Sequence, residues 1–217
     1  WKLDAVLKGW GGPDLLRSYE HERKPIAVRN SVISANNSDK IDMVMDETPA
    51  AVEEDGPRGD AIRSEVARKI RWMARQFNAA GTHLGYRYVD SPVIVADGSP
   101  EPPDDPGQVA PSTWPGSRSP HAWLTEDTRM RGRSTLDWFG RDFVLVAAPG
   151  TDPRAFEAAF AAQRVPLRLE TMPSPGIETL FARPLVLVRP DGHVAWRGDS
   201  PTRAEAERLT VRVTGNA

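Results

Sequence analysis

Pro111-Ser-Thr-Trp-Pro-Gly-Ser-Arg-Ser-Pro-His-Ala-Trp-Leu124 divides the 217-residue chain into two differently built halves. Pro111, Pro115 and Pro120, with Pro106 just upstream, hold φ near about −65° and keep the residues before them out of the α region. The run therefore reads as an ordered, extended crossover and not as a helix. A disordered linker is the competing reading, but Trp114, His121, Trp123 and Leu124 are too apolar for a solvated one. Ahead of the crossover the apolar spacing is mostly helical; behind it, strand-like and helix-like stretches alternate.

Phe143-Val-Leu-Val-Ala147 is apolar at every position, as a strand covered on both faces requires. Asp152 caps a helix from Pro153 to Gln163, with Phe156 and Phe160 four apart on its inner face. Val165–Leu169 return as a strand. Pro184–Val188 and Val194–Trp196 flank Arg189-Pro190-Asp191-Gly192, a hairpin turn. Ser200 caps a last helix that has Pro201 at its first position. Ala122–Leu124 is a short strand and Ser134–Gly140 a turn or brief helix. The order is β-α-β and then β-β-α. The crossover unit makes its strands parallel and right-handed, and the fold class is α/β, a sheet with helices on its faces.

The front half begins with a short helix over Trp1–Lys8, whose apolar face is Leu3, Val6, Leu7 and Trp10; Gly9, Gly11 and Gly12 end it. Pro13 starts a second helix, with Leu15, Leu16, Tyr19, Arg23, Ile26 and Ile33 at helical spacing and a kink expected at Pro25. It is expected to fade over Ser34–Asp39, and Asp42–Gly59 reads as an exposed acidic loop. Asp60 caps a third helix with the stripe Ile62, Val66, Ile70, Met73, Phe77, stopped at Gly81. Leu84–Val89 and Pro92–Ala96 read as strands. The expected division is residues 1–98, mostly helical; 99–120, the Pro-rich crossover; and 121–217, the α/β unit.

Composition excludes several functions. Net charge is −2 with both signs interspersed, so nothing argues for nucleic acid or an anionic membrane. No apolar run is long enough to span a bilayer. The absence of cysteine removes disulfides, thiolate metal sites and thiol catalysis. The four histidines lack metal-ligand spacing, so no metal site is expected. A cysteine-free chain without a signal segment reads as cytoplasmic, and the sequon at Asn36 as chance. The first residue is Trp1 and not Met, which fits a processed chain or a piece of a longer one.

Five residues invite a functional reading. His121 fits either a general base, which needs a positioned partner, or a hydrogen-bonded histidine at a domain seam. His193, beside a hairpin turn, is expected to be exposed. Tyr86 and Tyr88 alternate with Arg87 and share one strand face, covering a seam or touching substrate. Arg23 with Glu20 and Glu22 reads as a local ion-pair cluster, the alternative being a cofactor clamp. No residue is assigned a catalytic or cofactor-binding role.

Several stretches, in order, resemble the FAD-dependent aromatic-ring monooxygenases of the phenol, 2,4-dichlorophenol and polyketide hydroxylase type. They are Trp1–Asn30 (WKLDAVLKGWGGPDLLRSYEHERKPIAVRN), LGYRY at 84–88, PSTWPGSRSPHAWL at 111–124, STLDWFGRDFVLV at 134–146 and PDGHVAWRG at 190–198. The resemblance implies FAD, NAD(P)H as cosubstrate, an aromatic substrate, and a dimer-forming module beyond Pro115. The family's Gly-x-Gly-x-x-Gly fingerprint is missing from this sequence, so the chain looks like a C-terminal third, inert in isolation. Its first 98 residues would be the remnant of the flavin and substrate domain. The later half resembles the thioredoxin-like fold: Pro184 stands where that family keeps a cis proline, while Pro149-Gly150-Thr151-Asp152-Pro153 replaces its Cys-x-x-Cys. The alternative is a stand-alone, redox-inactive thioredoxin-like interaction or dimerisation module.

Overall fold

The computed structural model describes residues 1–124 and 132–217. Helix α1 spans Lys2–Leu7. Its inward face is not the apolar one: Lys2 and Ala5 are buried, whereas Leu3 and Leu7 are exposed. A buried carboxylate awaiting Lys2 turns the helix over, a tertiary contact overriding the periodicity.

Helix α2 runs unbroken from Pro13 to Asp46 and carries Pro25 inside it. The expected fade over Ser34–Asp39 does not occur. Ser, Asn and Asp are weak helix formers, not breakers, and no Gly or Pro stands between Ile26 and Asp46. The acidic stretch that follows is only partly loop, since it contributes the helix end and a 3-10 turn at Ala50–Glu53. Helix α3, Pro57–Met73, starts at Gly56 with Pro57 in its first turn. Proline at that position removes only an amide that would have had no partner, and Asp60 falls inside the first turn instead of capping it. Ile70 and Phe77 of the expected stripe are exposed. Gly81 lies within a short helix α4, Ala80–Leu84.

Neither Leu84–Val89 nor Pro92–Ala96 is a strand. Asp90, at φ 56, turns the chain between them. Single bonds anchor each piece: Tyr88 N–H to Gly116 O (3.0 Å) and Val95 N–H to Ala195 O (2.8 Å). The crossover forms no helix but turns at Pro115-Gly116, where Ser117 N–H reaches Trp114 O (2.8 Å). At Gly116, φ is +98 and an added Cβ would lie 2.4 Å from Tyr88 O, so only glycine lets the two backbones meet.

The sheet contains β1 (Phe143–Ala147), β2 (Leu167–Thr171), β3 (Leu185–Val188) and β4 (Val194–Gly198), in the order β2-β1-β3-β4. β1 and β2 are parallel, with Leu145 opposite Leu169; β3 is antiparallel to β1 and to β4. Helix α5, Arg154–Ala162, makes the crossover. Helix α6, Pro175–Phe181, was not anticipated; seven residues opening on Pro-Gly carry too little periodicity to show. Helix α7, Arg203–Val213, is capped by Thr202 in a reciprocal box with Glu205, not by Ser200. Ala122–Leu124 makes only an isolated bridge, Trp123 with Ser134. The bond before Pro184 is trans.

Two apolar layers flank the sheet. Phe143, Leu145, Leu187 and Ala195 meet Phe156 and Phe160 of α5, Ala206 and Val213 of α7, and also Ala5, Trp10 and Leu15 from the front helices. Val144, Val146, Val186 and Val188 meet Trp138, Met172, Ile177 and Phe181. The front helices therefore share the core of the sheet. No helix among the described residues is long and apolar enough to cross a membrane.

Candidate functional site: a buried ionic centre under a surface cleft

α1, the first turns of α2, the 86–91 segment and the β3–β4 turn converge on Glu22. Its side chain is 2% exposed. Arg189, fully buried, donates to it from Nη1 (2.6 Å) and Nη2 (3.0 Å); Lys2 Nζ donates at 2.6 Å and Ser91 Oγ at 2.6 Å. Lys2 also donates to Ser18 Oγ (2.6 Å). The other edge of Arg189 reaches Asp191, Nε to Oδ1 at 3.1 Å and Nη2 to Oδ2 at 2.5 Å. The guanidinium plane lies 5.2 Å from the Trp1 ring and 5.3 Å from that of Tyr88. Local sequence explains the turn: with Pro190 fixing φ and Gly192 at φ +79, Arg189 and Asp191 fall on one side, two residues apart.

Burial alone would raise the Glu22 carboxyl. The hydrogen bond and charge of Arg189, joined by Lys2, outweigh it and hold Glu22 below its ordinary value. Asp191 is likewise held well below the carboxylate range, Arg189 overcoming burial. Lys2 is lowered, first by burial and then by Arg189, and Glu22 offsets only part of this. The centre is thus a fixed array of charges, each with its counterpart.

His193 corrects the expectation of exposure: it is 2% exposed and packs, tilted by 31°, 4.3 Å from the Tyr88 ring. Its Nδ1 lies 3.5 Å from Asp191 Oδ1, a contact without hydrogen-bond geometry, since both ring nitrogens lack a partner. Tyr86 and Tyr88 do not share a strand face; they are neighbours in an irregular segment, 5.6 Å apart. Burial pushes the Tyr88 hydroxyl up to about 12, against the pull of Arg23. Arg23 is not clustered with Glu20 and Glu22. It donates to the Tyr88 (3.3 Å) and Tyr86 (3.4 Å) hydroxyls, while Glu20 pairs with Lys24 and Glu22 turns inward. His121 is exposed, edge-on to Trp123 at 4.9 Å, and belongs to neither seam nor centre. Sequence reasoning missed Lys2, Arg189 and Asp191. The available signal was Arg-Pro-Asp-Gly itself, which places two charges beside a turn otherwise read only as geometry.

Above the centre lies an open cleft of about 420 Å³, bordered by His21, Pro25, Arg29, Tyr86, Glu101 and Asp104. Its rim is tied by Arg29 to Asp104 (3.0 Å) and Arg87 to Glu101 (3.2 Å). The start of α5 does not fit the pyrophosphate of a dinucleotide. The βαβ turn that would receive a pyrophosphate carries Asp152, which accepts from the Arg154 amide at 3.0 Å. Arg154 also holds that carboxyl at about 2. Asp152, paired with Arg154 (2.6 Å), thus already takes the amide that a phosphate at the start of α5 would use. Among the described residues no group of three or more His, Asp or Glu converges as on a metal ion.

Residues 112–217 match the family described as aromatic-ring hydroxylase, C-terminal. The chain is 34% identical to the FAD-dependent monooxygenase apdD of Emericella nidulans, over 99% of this chain and 36% of that protein. It is 32% identical to 2,4-dichlorophenol 6-monooxygenase of Delftia acidovorans, over 91% of this chain and 38% of that one. The rebeccamycin biosynthetic enzyme RebC with reduced flavin superposes with a TM-score of 0.84 and 45% identity, over 100% of this chain and 39% of RebC. The chain thus spans well under half the length of these relatives.

Proposed function

Since the chain belongs to the FAD-dependent aromatic-ring hydroxylase family, as its C-terminal region, we propose that it is the scaffolding part of a monooxygenase acting on a phenolic or polyketide ring. FAD, when bound, supplies the oxygen chemistry, with NAD(P)H as its reductant; the dinucleotide fingerprint that would hold it is missing from this sequence. The task of the residues described here is to hold shape. The observation that carries this reading is the buried Glu22–Arg189 pair, which fastens a front helix to the sheet's hairpin.

Residues 1–98 are read as the end of the flavin and substrate domain and 99–120 as its crossover. Residues 121–217 are read as a thioredoxin-like domain without its dithiol. The strand order β2-β1-β3-β4 supports that name, as does the place of Pro149–Pro153 at the start of α5. This domain is read as the dimer-forming part, and the absence of cysteine suits a cytoplasmic setting. The purified 217-residue chain is expected to carry no visible flavin absorbance and to drive no substrate-dependent NADPH oxidation. Either signal would overturn the scaffold reading.

A further inference from the structure

Among the described residues β2 is an outer strand of the sheet, paired only with β1. Two bonds fix which of its backbone groups face inward: Phe143 N–H to Pro166 O, and Met172 N–H to Ala147 O. In a parallel ladder inward-facing residues alternate. Arg168 and Glu170 therefore point their amides and carbonyls at β1, and Leu167, Leu169 and Thr171 point theirs away from the sheet. Among the described residues those outward groups have no backbone partner. Leu169 is 42% exposed. Arg168 and Glu170 share the other face of the strand, with Arg168 Nη2 2.5 Å from Glu170 Oε1.

From this pattern we infer that the β2 edge is a self-complementary interface, pairing antiparallel with β2 of a second copy about a two-fold axis at Leu169. The inference rests on the dimer reading above and names its surface. Several features select one register. With Leu169 opposite Leu169 of the second copy, the outward backbone groups of 167, 169 and 171 meet in the hydrogen-bonding positions of the ladder. Arg168 then stands across from Glu170 of the other copy, and Glu170 from its Arg168, at the closer, non-hydrogen-bonded positions. Centring on 168 or on 170 would keep the ladder bonds but set like charges face to face at the closer positions, Arg168 on Arg168 or Glu170 on Glu170. Pro173, the next outward-facing position, has no amide to extend the ladder. At the other end Val165 already donates to Phe160 O (2.9 Å). The pairing is closed and isologous, and it joins two four-stranded sheets into one.

Sedimentation velocity on the 217-residue chain tests this through charge exchange. The unaltered chain is expected to dimerise. Arg168→Glu puts two acids on the edge, and Glu170→Arg two bases; each alone is expected to weaken the dimer at least tenfold. An equimolar mixture of the two is expected to recover it as a heterodimer, because every acid then faces a base. Leu169→Glu, at an exposed position, gives a second monomeric variant should either reversal fail to fold by circular dichroism. Variants that dimerise like the unaltered chain overturn the β2 assignment and leave the dimer reading standing. A mixture of folded variants that stays monomeric also overturns the assignment. An unaltered chain that is monomeric at every concentration overturns both.

Discussion

Glu22 shows how much one side chain can hold in place. Three donors from α1, the 86–91 segment and the hairpin end on its two oxygens. Removing one partner of a buried pair leaves the others charged and dry, at a cost of about 3–5 kcal/mol. Glu22→Gln is expected to lower stability by about that much in urea unfolding. The loss should carry a pH signature. The folded carboxyl titrates below its ordinary value of 4.5, so its contribution is complete above that pH and disappears as pH falls through the folded value. The unaltered protein should therefore lose stability in acid more steeply than the Gln variant, as thermal melts between pH 3 and about pH 7 would record. Equal acid slopes would contradict the assignment.

At the scale of elements, caps and breakers decide more than apolar stripes. α7 begins at Thr202, whose hydroxyl accepts from the Glu205 amide (3.3 Å) while the Glu205 carboxylate accepts from the Thr202 amide (2.8 Å). Thr202→Ala is expected to cost about 1 kcal/mol, read as a lower melting temperature, whereas Ser200→Ala should change little. The strands β1, β3 and β4 and the helices α5 and α7 were legible because each has an apolar pattern bounded by turn residues. The far end of α2 is not legible in the sequence because its polar composition resembles a stop where no Gly or Pro supplies one. Leu84–Val89 and Pro92–Ala96 have strand-like composition but are not strands, because β propensity describes a half-covered pleated surface and here no neighbouring strand provides one. The ionic centre was illegible for a different reason. Lys2, Glu22 and Arg189 lie 20 and 167 residues apart, and nothing local announces that a charge will be buried.

At the scale of the molecule, the two ends of the chain are fastened together. Gly12 donates to Thr214 O (2.8 Å), Asp14 to Gly215 O (3.2 Å), and Asn216 Nδ2 to Trp10 O (3.2 Å). A Cβ on Gly12 would lie 2.1 Å from Gly215 O. Gly12→Ala is therefore expected to destabilise the fold by about 1–3 kcal/mol, and hydrogen exchange should show faster opening at α1 and at the end of α7 together. Exchange that quickens at α1 alone would mean that the two ends are not coupled.

That fastening also sets a timetable. Trp10 and Asn216 are 206 residues apart, and the length-dependent entropy of closing such a loop is about 5 kcal/mol. During synthesis, at roughly 5–20 residues per second, α1 must wait for residues 214–216 to leave the ribosome before it can dock against them. Through that interval Trp1, Trp10 and the Lys2 ammonium stand open to water and to any chaperone that recognises them. Helix α1 is thus made some two hundred residues ahead of the segment that fixes its place.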